Sequence, residues 1–182
     1  MSMDTAPRTH RFVVADFLTP GYRVVGKMLV SNTGAMGLLN DPTTSYMEVH
    51  DAKLARLHMP TKLVDHFEVV RLVKKQVFAV CMSRREDVGP VALARGGYSK
   101  VIEYAIRMTT QVYELQGTLE WPGRFDFSAI MSEGTRDFIP LYDTLLTAIL
   151  IPSLRIESEA VLFNRTQVDL LALLNQRISL QK

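Results

Sequence analysis

Tyr113-Glu-Leu-Gln-Gly117, Phe138-Ile-Pro-Leu-Tyr-Asp143 and Val161-Leu-Phe-Asn-Arg165 follow one another within the stretch Tyr113–Leu174. Each run is dense in β-branched, aromatic and aliphatic residues, the composition that fits a pleated, half-buried surface. Gly117 inside the first run marks a bulge or tight bend, which a short strand needs in order to curl. The stretch therefore reads as a small self-contained β domain. Tyr22–Met82 reads as a worn copy of it. Tyr113 and Gly117 fall 91 residues after Tyr22 and Gly26, and Asp143 and Pro152 fall 92 after Asp51 and Pro60. Val161, Gln167 and Val168 return to an offset of 91 from Val70, Gln76 and Val77. Two copies are too few for a solenoid, so a pseudo-symmetric pair of compact domains is the expectation.

Between these landmarks the chain divides as follows. Residues 1–10 are a polar, flexible tail. Residues 11–83 make the first β unit, 84–100 a linker with Gly89-Pro90 and Gly96-Gly97, and 101–182 the second unit. Arg11–Leu18 and Tyr22–Val30 have strand composition around the turn signal Thr19-Pro20-Gly21. Ser31–Ser45 reads as a Gly-, Asn- and Thr-rich loop with one tucked apolar segment, Met36–Leu39; the spacing of a phosphate-binding loop is missing. Tyr46–Met59 keeps no clean period. Lys62–Met82 reads as a hairpin split by Lys74-Lys75-Gln76. Tyr98–Met108 satisfies both a helical and an alternating pattern, and its β-branched density favours a strand. Val168–Leu180 is apolar enough to need a partner surface.

The order of a bent strand with Gly117, an apolar strand ending at Asp143, and an Asn164-Arg165 turn resembles the small Sm-like, SH3-type β-barrel. It is similar in particular to an uncharacterised bacterial family of such barrels, with YRIEG-like, FLxLTD-like and VNR-like segments. The likeness covers about one third of the chain, within the second unit. It implies a mainly β protein with little helix, built as two tandem Sm/SH3-like barrels packed as a pseudo-dimer. It also implies association through edge strands, because an open edge offers unpaired N–H and C=O groups. Sm-type RNA binding uses a uracil-contacting Asn before the apolar strand; here Tyr46 and Phe138 stand at that place.

Chemistry is sparse. Residues 113–182 contain no His and no Cys, and Ser128 and Ser132 lack a nucleophile-elbow setting, so nucleophilic catalysis is not expected there. His10, His50, His58 and His66 show no zinc-ligand spacing. Asp51 and Asp143 are read as turn-forming residues that accept backbone hydrogen bonds. Cys81, the lone cysteine, lies in an apolar run and reads as a small buried hydrophobe. The sequence thus points to no catalytic residues, metal or cofactor. A non-enzymatic interaction or assembly protein is expected, with a protein partner or self-association. The alternative is a nucleic-acid-binding regulator that uses Arg71, Lys74, Lys75, Arg84 and Arg85, with nearby aromatics for stacking.

Charge sharpens the contrast between the halves. Residues 1–112 carry fifteen Lys/Arg against ten Asp/Glu, a balance of +5, and residues 113–182 six against nine, a balance of −3. Opposite signs allow complementarity within one chain or between neighbouring chains. The amino-terminal residues lack the pattern of a secretory signal, and the longest apolar run falls short of the about 20 residues that span a bilayer. A cytoplasmic location is the expectation.

Overall fold

The computed structural model describes residues 9–91 and 100–177. Most of them lie in ten strands: β1 (Arg11–Leu18), β2 (Tyr22–Val30), β3 (Tyr46–Arg56), β4 (Leu63–Val73), β5 (Ala79–Met82), β6 (Val101–Thr109), β7 (Tyr113–Pro122), β8 (Phe138–Ala148), β9 (Arg155–Asn164) and β10 (Leu170–Leu173). All join one antiparallel sheet, in the order β10-β6-β7-β8-β9-β5-β1-β2-β3-β4. Two six-residue helices, α1 (Gly34–Leu39) and α2 (Phe127–Ser132), sit between the second and third strands of each half. The mainly β expectation holds. The strand reading of Tyr98–Met108 holds from Val101 onward, and Tyr46–Arg56 proves to be a strand as well. The expected loop after β2 holds a helical turn, whose Met36 and Leu39 are buried as the tucked apolar segment should be.

The strand registers reproduce the sequence repeat. Arg11 pairs Val30 and Ile102 pairs Trp121, each shifted by 91. Leu18 pairs Ala79 as Thr109 pairs Leu170. His50 pairs Val69 as Tyr142 pairs Ala160. The register slips between Val25 and Lys27 in one half and between Gln116 and Thr118 in the other, so both glycines sit at the irregularity. A Cβ on Gly26 would run into the Val49 side chain and the His50 carbonyl, and one on Gly117 would meet the Tyr142 carbonyl at 2.8 Å. The absent side chain lets the third strand cross close over the second. On the crossing strand, Asp51 and Asp143 hold φ of 50° and 48°, a region that Asp tolerates better than most residues. These aspartates therefore bend strand interiors, a correction to the turn reading; the Asp51 carboxylate meets side chains, not backbone. Pro60 and Pro152 lie in the turns that follow, between β3 and β4 and between β8 and β9.

One expectation fails outright. The runs on either side of Lys74–Gln76 do not form a hairpin: β4 pairs only with β3, while β5 pairs with β1 and β9. The 3-10 turn at Lys74–Gln76 is flanked by extended residues, Val73 and Val77, so it carries the chain onward without reversing it in register. All four residues of β5 are buried. The backbone N–H and C=O groups of such a buried strand need hydrogen-bond partners, and β1 and β9 supply them on its two edges.

β5 therefore lies at the seam between the halves. Its alternate residues enter two cores: Val80 and Met82 join Val13, Phe17, Met28 and Val49, while Ala79 and Cys81 join Tyr113, Leu115, Leu146 and Phe163. Its partner strand β9 does the same, with Ala160 and Leu162 in the first core and Val161 and Phe163 in the second. Cys81 is the small hydrophobe expected, and burial pushes its thiol up to about 12. Residues 84–91, at the start of the expected linker, are packed in part. Asp87 and Val88 are buried in a 3-10 turn, and the linker's residues 92–99 lie outside the described residues, as do residues 1–8 of the tail and the last five residues.

The close crossing at the glycines sets the first test. Gly26→Ala and Gly117→Ala should each lower the unfolding free energy by about 1–3 kcal/mol, the cost of forcing extra volume into a packed site. Urea denaturation followed by circular dichroism measures this.

Candidate interaction edges

Every strand of the sheet has a neighbour on both sides except the two at its ends, β4 and β10, although β5 covers only Ala15–Leu18 of β1 and Ala160–Phe163 of β9, and β10 only Ile106–Thr109 of β6. The two end strands are the counterparts of β9 and β5, the pair that forms the seam. The contrast in burial is large. β9 is buried from Ala160 through Asn164, whereas no residue of β4 is. β5 is wholly buried, whereas Leu170 and Ala172 of β10 are exposed, with Leu171 and Leu173 packed on the second core. Large apolar side chains of β4 and its neighbour β3, Tyr46, Leu63, Phe67 and Val73, are exposed, as is Tyr22 at the start of β2.

The seam shows what such edges do when they are covered. Besides the β5–β9 ladder, the Tyr113 hydroxyl donates to the Thr19 carbonyl at 2.7 Å, and burial raises its pKa. The Asn164 amide donates to the Val77 carbonyl at 3.1 Å. The Asn40 side chain brackets Phe138, donating to its carbonyl at 3.0 Å and accepting from its N–H at 2.9 Å. Gln167 donates to the Lys75 carbonyl at 2.8 Å. Phe78 and Tyr113 stack edge to face across the junction, 5.6 Å between ring centres.

The five basic residues singled out from sequence are spread over separate elements, and four are already engaged. Arg71 on β4 pairs with Glu48 at 3.0 Å. Lys74 is buried, its ammonium donating to the Asp41 carbonyl and the Thr44 hydroxyl at 3.0 Å each, and burial lowers its pKa. Arg84 pairs with Glu86 and with the buried Asp87. Arg85 pairs with Glu120 and lies over the Tyr142 ring, 3.7 Å from its centre. Lys75 is exposed at the turn. Phe78, one of the aromatics placed beside them in sequence, is buried in the second core. Asn164-Arg165, the turn matched to the barrel family, is structural here. The Arg165 guanidinium donates to the carbonyls of Ile130, Glu133 and Gly134 and so closes the end of α2.

Sequence reasoning missed a polar cluster beside β4. Asp51 accepts from His66 at 2.6 Å and lies 3.3 Å from the Lys27 ammonium, with Phe12, His50 and Phe67 around the same shallow cleft. The bend at Asp51 creates it by turning the carboxylate outward. The second half has the same bend at Asp143, but Thr118 and Glu157 take the places of Lys27 and His66. The signal was present in the repeat, since only one copy carries the basic partners. A second cleft, of about 390 Å³, lies between the halves and is lined by Met36, Trp121, Arg136, Phe138, Ile139 and Arg165 among others. Among the described residues no group of three or more His, Cys, Asp or Glu could hold a metal ion, and no helix is long and apolar enough to cross a membrane.

Comparison with protein-family models, with curated proteins and with solved structures finds no match to this chain. The functional reading therefore rests on the geometry alone.

The Asp51 cluster gives a pH test. Its carboxyl is held below the usual range first by the hydrogen bond from His66 and then by Lys27. A depressed carboxyl favours the fold above its ordinary pKa, and that contribution is lost as pH falls through the folded value. In His66→Ala the Asp51 carboxyl should titrate at higher pH than in the wild type, as read by carbon-detected NMR. An unchanged midpoint would assign the depression to Lys27.

Proposed function

We propose that this chain is a non-catalytic assembly protein whose working surfaces are the two open edges of the sheet, β4 and β10. One observation carries the reading. At the two ends of the sheet Val73, Leu170 and Ala172 are exposed and Val69, Val70, Leu72, Leu171 and Leu173 only half-buried, where their counterparts in β9 and β5 are buried. An uncovered edge strand with apolar residues is a template for another strand, and contiguous exposed apolar surface marks a site of interaction. Main-chain pairing would supply affinity, and alternate side chains would supply specificity.

The duplicated five-stranded unit, with a bent glycine-containing second strand, supports reading each half as a small Sm/SH3-like barrel and the chain as a tandem pair. Nucleic-acid binding has less behind it. Of its five cations Lys74 is buried against backbone and hydroxyl groups, and Arg71, Arg84 and Arg85 each pair with a carboxylate that a phosphate would have to displace.

The test is co-purification of the tagged full-length chain from the cells that make it, beside Val73→Asp/Leu170→Asp, which places a charge on both edges. The species recovered with the wild type, a second copy of the chain included, should be lost from the variant. Recovery of the same species by a variant with an unchanged circular dichroism spectrum would overturn the reading.

A further inference from the structure

We infer that the occupant of these edges is a second copy of the chain, bound head to tail, with β10 of one copy pairing antiparallel to β4 of the next in the register of the internal β5–β9 ladder. The inference rests on the assembly reading above and adds the partner, its direction and its register.

The internal seam is the template. There Ala79, Val80, Cys81 and Met82 pair Phe163, Leu162, Val161 and Ala160. Shifted by the repeat offset of 91, the same ladder joins Leu170, Leu171, Ala172 and Leu173 of one copy to Leu72, Arg71, Val70 and Val69 of the next. The backbone on each side is already set for it. β10 lies on β6 in the register that β5 keeps on β1, and β4 lies on β3 in the register that β9 keeps on β8. The Asp169 N–H donates to the Thr109 carbonyl as the Phe78 N–H does to that of Leu18. Each open edge therefore has the shape of a half-seam.

The side chains agree. Residues buried in the seam have exposed apolar counterparts at the free ends. Tyr113 corresponds to Tyr22, 39% exposed, and Phe138 to Tyr46, 43% exposed. Asn164 corresponds to Val73, 51% exposed, and Ala79 to Leu170, 50% exposed. Leu57, buried against the second core, corresponds to the exposed Ile149. Exposed apolar residues scattered singly mean little; these fall at the positions that one known interface of the same molecule covers. Leu162 becomes Arg71 and Phe78 becomes Asp169, opposite charges on the two edges, with Arg71 also paired to Glu48 on its own side. The β4 edge belongs to the half with a balance of +5 and most of the half bearing β10 to the segment with −3, so pairing unlike edges is favoured over pairing like ones. A contact between unlike surfaces is heterologous, and repetition closes it into a ring or extends it as a filament.

The experiment uses purified full-length protein in analytical ultracentrifugation over a range of concentrations. The wild type should self-associate. Val73→Asp, which blocks β4, and Leu170→Asp, which blocks β10, should each sediment as a monomer. Their equimolar mixture should give a 1:1 dimer and nothing larger, because one intact edge of each kind remains. Dimerisation of either variant alone would mean pairing of like edges and would overturn the inference, as would a mixture that stays monomeric. A wild type that is monomeric throughout would exclude the second copy as occupant while leaving the edge reading to the co-purification test. Should an aspartate variant fail to fold, Leu72→Cys mixed with Leu170→Cys under a mild oxidant reads the register directly. A disulfide-linked heterodimer is expected there, and Arg71→Cys in place of Leu72→Cys should cross-link several-fold less.

Discussion

The four-residue ladder between Ala79–Met82 and Ala160–Phe163 is the contact on which the rest depends. It joins two five-stranded halves into one sheet, and it gives both cores their inner wall, since successive residues of each strand point into opposite cores. Buried backbone N–H and C=O groups must be hydrogen-bonded, and β1 and β9 provide that on the two edges of β5. The side-chain bonds around it, from Tyr113, Asn164 and Asn40, tie backbone groups of one half to the other and fix the angle at which the halves meet. Remove the ladder and each core loses a wall.

The same dependence explains which parts of the fold could be read from the residues. Gly26 and Gly117, Pro60 and Pro152, and the runs around Val70 and Val161 mark the repeat because each serves a local backbone need that recurs in both copies. Local needs leave local signatures. The partner of β5 does not, because Ala79-Val-Cys-Met82 looks the same whether its neighbour is β4, sixteen residues earlier at Leu63, or β9 in the other half. Composition, with apolar runs on both sides of a polar, basic tip, argues for a hairpin, and the chain instead places β5 in the seam. Asp51 and Asp143 illustrate a similar limit. Their recurrence was visible, but the left-handed backbone that makes them recur is a property of the bend that Gly26 and Gly117 permit.

The candidate site was legible only through asymmetry between the copies. Val73 against Asn164 and Leu170 against Ala79 are unremarkable residues taken singly. Their meaning comes from one member of each pair being enclosed and the other not. The basic residues show the opposite limit: Lys74-Lys75 and Arg84-Arg85 are conspicuous pairs in sequence, yet the carboxylate and carbonyl partners of Lys74, Arg84 and Arg85 come from other segments or from a turn that sequence does not place.

The seam also orders events during synthesis. Met82 waits for Ala160 and Ala79 for Phe163, partners 78 and 84 residues further along the chain. Long-range pairing of this kind forms late because loop closure must precede its reward. As the ribosome releases the first half, β5 is therefore complete but lacks β9, and the nascent half shows two bare edges where the finished chain's first half shows one. Domains emerging first are the ones whose unpaired strands can capture neighbours. The second half thus acts towards the first as a tethered, intramolecular cover, and its delayed arrival sets the interval in which nascent chains on one message could join each other instead.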